Sequence, residues 1–202
     1  MSQNAAYSLL ASLGLRANGT PVHYFLCGEG LERCVLGSNR DDVFQSPPCE
    51  LCMRQSWQVF AGAPVTWLVP RKHPDLNAAL LNLTLAELIG FEKDNLPLGY
   101  WAVNSLRWVL RRQNLAEDEP TRMFMRTFIL SGWNVYQQFV ELIQNQKPQA
   151  VVVFNGMFYP EAAVRQCCLD NGIRVVTHEV GIQPLTAFFT DGEATAYPLE
   201  IP

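Results

Sequence analysis

The chain has 202 residues, about half of them apolar (49%), which is enough for one sizeable core with at most a small appendage. Its net charge of −4 is mild, and its basic residues are dispersed apart from Arg71-Lys72 and Arg111-Arg112, so nucleic acid is excluded as an expected partner. No apolar run approaches the roughly 20 residues that cross a bilayer, and the short apolar stretch at 8–15 lacks a basic leader, so the expected location is the cytoplasm.

In chain order, residues 5–13 read as a short peripheral helix closed by Gly14 and a polar turn. Residues 22–26 alternate and are rich in β-branched and aromatic side chains, the pattern of a first strand. A loop-rich stretch follows from 28 to 48, too polar to pack by itself. Residues 52–60 form a helix ended by Gly62, and 65–69 a second strand stopped by Pro70. From 74 to 147 the pattern is helical: 76–83, 85–90, 100–112 and 120–146. The last carries Phe124, Phe128, Trp133, Phe139 and Ile143 at helical spacing after an Asp118-Glu119-Pro120 start.

Residues 151–181 then read as a complete strand-helix-strand unit. Val151 to Phe154 is a continuous apolar run, the mark of a strand buried on both faces. Asn155-Gly156 ends it. Pro160 opens a helix and Glu161 sets negative charge at its positive end, Asn171-Gly172 stops it, and 173–177 is a second strand finishing at His178-Glu179. Parallel strands joined this way cross over right-handedly, so both polar ends lie along one sheet edge, where α/β sheets bind ligands. The expected architecture is a single α/β domain over 1–202, Rossmann-like, with a mostly parallel sheet flanked by helices, a cysteine-rich insert at 27–52 and a helical segment at 74–147.

Cys27, Cys34, Cys49 and Cys52 follow C-x6-C-x14-C-x2-C inside or beside the loop-rich stretch. A loop that cannot fold by burial is one that a metal can organise, and four thiolates suit structural zinc. The first spacing is wider than usual, so an iron–sulfur cluster, redox-active thiols, and unligated or disulfide-forming cysteines stay open beside it. His23 and His73 are candidate substitute ligands. The redox alternative rests on Cys49-Glu50-Leu51-Cys52 near a helix start and requires a thiol of lowered pKa. Cys167 and Cys168, adjacent in mid-helix, read as core packing.

At the sheet edge, His178 and Glu179 are the candidate proton acceptors, with loop anchoring as the plainer account. Asn155 and Gly156 either form a turn or admit a ligand closely, and Tyr159 and Phe158 either stack on a sugar or pack. Arg107, Arg111 and Arg112 recur along one helix. That face is solvated or meets lipid headgroups or phosphates. Tyr100, Trp101 and Trp108 form an aromatic row that either packs or faces a lipid-linked acceptor. GxGxxG, P-loop, HExxH and GxSxG motifs are absent.

The runs FNGMFYPE, NGIRVVTHE and FFTDGEATAY, with the earlier CGEGLERC and PPCELC, resemble the N-terminal region of bacterial GT-B glycosyltransferases of surface and capsular polysaccharide synthesis. The resemblance spans about 22–197. It implies a Rossmann-like acceptor-side domain, with Asn155, Gly156 and Tyr159 contacting a carbohydrate or lipid-linked sugar acceptor and His178 or Glu179 near the transferred group. It also implies that the nucleotide-sugar donor is held by a second domain absent from this sequence, so the chain alone is expected not to transfer sugar. A non-catalytic, metal-stabilised binding domain is the alternative. Nothing in the sequence fixes the oligomeric state.

Overall fold

A computed structural model describes residues 3–183 and 186–195. Its elements, in order, are α1 (Gln3–Ala17), β1 (Tyr24–Cys27), α2 (Cys49–Val59), β2 (Val65–Leu68), α3 (Pro74–Leu80), α4 (Leu85–Ile89), α5 (Leu98–Leu110), α6 (Glu119–Gln146), β3 (Ala150–Phe154), α7 (Tyr159–Asp170), β4 (Arg174–Val180) and β5 (Ala187–Asp191). Most elements fall within a few residues of their expected bounds. Ala196 and Tyr197, the end of the last motif, lie outside the described residues.

The fold is α/β, but its strands make two sheets where one mostly parallel sheet was expected. β1 and β2 form a parallel pair. β3, β4 and β5 form the other sheet, in which β3–β4 is parallel and β4–β5 antiparallel. The expectation that β3 is buried on both faces also fails, because Val152 is 50% exposed on the face that α7 leaves uncovered. α1 packs against β4.

The core belongs to the helices. α6 packs against α4, α5 and α7, and residues 128–135 are buried on every side. Its start is fixed by Asp118, whose Oδ1 accepts the Thr121 N–H at 2.9 Å, and Pro120 sits in the first turn, where a missing N–H costs nothing. Lys147 ends it in a left-handed conformation. Among the described residues no helix is long and apolar enough to cross a membrane.

Candidate functional site

The two parallel strands do bring their ends together: Phe154 pairs with His178, and the Asn155 N–H donates to the His178 carbonyl at 2.8 Å. β4, however, does not stop at Thr177. β5 gives it a second ladder partner, Glu179 facing Phe188, so His178 and Glu179 lie within a strand. Side chains then alternate between faces, and the pair is split.

His178 turns under α1 and is 1% exposed. Its Nε2 is 2.9 Å from Ser8 Oγ, and Tyr7, Phe154 and Phe189 ring it at centroid distances of 5.6, 6.0 and 6.2 Å. Nδ1 is buried without a hydrogen-bond partner. Burial lowers the pKa of the imidazole. Glu179 is only half-buried. Its Oε1 accepts the Val180 N–H at 2.9 Å, and its Oε2 faces Asn155 Nδ2 at 3.5 Å, the outer limit of a hydrogen bond.

Asn155 is held in place as a turn. Its φ is 22°, its Oδ1 accepts the Met157 N–H at 2.9 Å, and its carbonyl accepts the Thr195 N–H at 2.9 Å. Gly156 has φ +74°, and a Cβ there would lie 2.9 Å from both Arg165 Cδ and Thr177 Cγ2. Conformation and packing both require this glycine. Tyr159 does not join the group. It is fully buried, its N–H donates to Ser105 Oγ at 2.9 Å, its ring stacks on Phe128 at 4.8 Å, and its hydroxyl donates to the Arg33 carbonyl. The structure thus sets Asn155, itself buried, beside the half-buried Glu179, places His178 on the opposite face of β4, and turns Tyr159 toward the cysteine-bearing segment.

Glu161, expected to gain from the α7 dipole, is instead desolvated. Its Oε2 is buried and unpaired, and burial pushes the carboxyl up to about 7. A helix end offers on the order of 1 kcal/mol; burial without a partner costs more.

Cys27, Cys34, Cys49 and Cys52 are all free thiols, and burial raises the pKa of the first three. α2 begins at Cys49, three residues earlier than expected, so Cys49 and Cys52 occupy its first turn. The redox alternative needs one thiol of lowered pKa at this helix start, and burial first, then Cys27, Glu29 and Cys52, raise the pKa of Cys49. As the side chains stand, no three His, Cys, Asp or Glu groups among the described residues are placed to hold a metal ion. His23 Nε2 lies 2.8 Å from Thr66 Oγ1, whereas His73 Nε2 is buried without a hydrogen-bond partner. Cys167 and Cys168 are fully buried, with thiols pushed up to about 12, as core residues should be.

A polar ladder on α6 escaped the sequence reading. Asn134 Nδ2 donates to the Gly30 and Val69 carbonyls at 2.8 and 3.0 Å. Gln138 donates to Val69 O at 2.7 Å and accepts the Val69 N–H at 3.0 Å. Ser131 Oγ accepts the Glu32 N–H at 3.0 Å. These side chains fasten the ends of β1 and β2 to the central helix. Their signal was polar residues at helical spacing beside an apolar stripe.

Of the aromatic row, Trp101 is core while Tyr100 is exposed, and Arg111 lies 4.6 Å over the Trp108 ring. An open groove of about 330 Å³ lies beside Arg40, Arg111, Arg112, Asp41 and Asp118. No protein-family model matches the chain, and no curated protein or solved structure matches it significantly.

Proposed function

We propose that this chain is the acceptor-side domain of a cytoplasmic, nucleotide-sugar-dependent glycosyltransferase of polysaccharide synthesis. In this reading the two sheets are the parts of one Rossmann-like half, and the donor is held by a domain that this sequence does not contain. The acceptor is a carbohydrate or a lipid-linked sugar met at the membrane surface. The observation that supports it is the shared edge of β3 and β4, where Asn155 and the half-buried Glu179 carboxylate face one another. A carboxylate there can accept a hydrogen bond, and finally a proton, from an acceptor hydroxyl. Glu179 takes that role in preference to His178, which α1 seals from any ligand. Tyr159 serves as the buried frame beneath the loop, without contact to sugar.

The test is saturation-transfer NMR of the chain with a panel of methyl hexosides and a short-chain polyprenyl diphosphate sugar. Transfer to one of them is expected, weakened about tenfold in Glu179→Gln, because hydrogen bonds to charged groups contribute most. Absence of transfer to every probe at millimolar concentration would remove the proposal. So would binding that Glu179→Gln and Asn155→Ala leave unchanged.

A further inference from the structure

We propose that the groove between the 40–43 loop and the junction of α5 with α6 binds a phosphate group, carried as a monoester or a diphosphate, through Arg111, Arg112 and Arg40. The groove holds about 330 Å³, room for a phosphate and a small polar body. Leu110 and Phe124 give it an apolar floor, and three guanidinium groups line it against two carboxylates, Asp41 and Asp118. It is net positive on a chain whose net charge is −4. An anion is therefore drawn there by the local groups and not by the overall field.

Both carboxylates are already engaged. Asp118 Oδ1 accepts the Thr121 N–H at 2.9 Å, and Asp41 Oδ1 lies 3.5 Å from Arg40 Nε. Arginines a little farther along α6 have partners of their own, Arg122 with Glu117 at 2.7 Å and Arg126 with Glu119. Arg111 and Arg112 enter no ion pair among the described residues. A guanidinium presents five donors in a planar fork that matches phosphate oxygens.

The backbone puts these two side chains in place. Arg111 ends α5 in the left-handed conformation with φ 54°, a position that glycine fills most readily. The Arg112 N–H then closes on the Arg107 carbonyl at 3.2 Å. A cation at a helix end can serve the dipole alone, but Arg107, in the last turn of α5, already does so. Arg111 is held 4.6 Å over the Trp108 ring, which restrains the side chain and keeps its charge. The loop wall is fixed too: Arg33 donates to the Gln45 and Phe44 carbonyls at 2.6 and 3.2 Å, and the Asp41 N–H donates to Asn39 Oδ1 at 2.9 Å. The start of α6 adds little, because its Thr121 N–H is capped and Pro120 has none. The arginines carry the site. The groove shares no residue with Asn155 and Glu179, and the inference is independent of the sugar reading.

Isothermal titration calorimetry of the chain at low ionic strength tests it with inorganic phosphate, inorganic pyrophosphate and glycerol 3-phosphate. Pyrophosphate is expected to bind, about tenfold more weakly in Arg112→Gln and in Arg111→Asn, the latter keeping a residue that tolerates the left-handed conformation. Arg16→Gln removes the same charge from α1 and should leave binding unchanged. Co-sedimentation with phosphatidylcholine vesicles, with and without phosphatidic acid, separates two sources of the phosphate. Capture by phosphatidic acid that pyrophosphate reverses assigns it to a lipid headgroup, and heat from glycerol 3-phosphate without capture assigns it to a free solute. No heat with any probe and no capture on the unaltered chain would overturn the proposal without reference to any variant's folding. Equal weakening by Arg16→Gln, or indifference to both groove substitutions, would overturn it as well.

Discussion

The helical body and the segment from Gly28 to Pro48 are held by different physics. In α5, α6 and α7, Leu106, Phe124, Met125, Phe128, Ile129 and Tyr159 are all fully buried. Stability there scales with apolar area and is spread over many neighbours. The segment leaves Leu36 76% and Phe44 66% exposed. It hangs on directional contacts: Asn134 to the Gly30 carbonyl, Tyr159 to the Arg33 carbonyl, Ser131 to the Glu32 N–H, and Arg33 to the Gln45 carbonyl at 2.6 Å. The body should therefore tolerate conservative apolar exchange, whereas the segment should fail when a single donor is removed.

The largest effect is expected in the body. Phe128→Ala empties a site between Phe124 and Tyr159, whose ring centroids lie 5.6 and 4.8 Å away. It should cost about 4 kcal/mol of unfolding free energy in urea. Tyr159 links both regions, so hydrogen exchange should quicken in α6 and in the segment alike. A loss below about 1 kcal/mol would break the comparison at its stronger side.

Asn134→Leu should come next. It leaves the Gly30 and Val69 carbonyls without their Asn134 donor and Gln138 Nε2 without one of its acceptors. Leaving such groups unpaired costs about 2–3 kcal/mol in all. Hydrogen exchange should locate the damage at 28–48 and at the end of β2, with α5 unchanged. Equal acceleration everywhere would show that the ladder belongs to the body.

How far this division could be read from the sequence depended on whether a signal was local. The β3–α7–β4 unit was legible because its β-branched run, Pro160 and Asn171-Gly172 each act on their own few residues. Gly172 does stop α7 with φ 65°. β5 was not legible, since Phe188 and Phe189 are both about half exposed and give no period-two pattern. Of the candidate site residues, Asn155 and Gly156 announced their turn by residue type, and their φ angles are 22° and 74°. The sealing of His178 by Ser8 and Tyr7, and of Tyr159 by Arg33, is made by residues more than 100 positions away. No local pattern carries that information.

Glu161 sharpens the comparison because it is a polar group placed with too little polar support. Its folded pKa of about 7 lies above the ordinary 4.5. Stability from the neutral form is complete below pH 4.5 and is lost as pH rises through 7. Unfolding free energy should fall by about 2 kcal/mol over that window, after allowance for the group's partial exposure. Glu161→Gln should abolish this slope and leave the chain more stable than the parent at pH 8. A slope that survives the substitution would assign it to other groups.

The smallest expected effect separates cap from charge at the start of α6. Asp118 accepts the Thr121 N–H and lies among Arg112 and Arg122, and the Thr121 bond followed by these charges holds its carboxyl below the ordinary value. The sign is opposite to that of Glu161: its contribution is present above pH 3.8 and is lost as pH falls through the lower folded value. Asp118→Ala removes both cap and charge, and thermal unfolding near neutral pH should show a loss of about 1 kcal/mol. Asp118→Asn keeps the accepting oxygen without the charge and should recover most of that loss. Because the helix start is solvated, added salt should erase the remaining difference between Asp and Asn but not that between Asn and Ala. If Asn behaves as Ala does, the arginines rather than the hydrogen bond fix this end, and the body depends on charge where the structure assigns it to a cap.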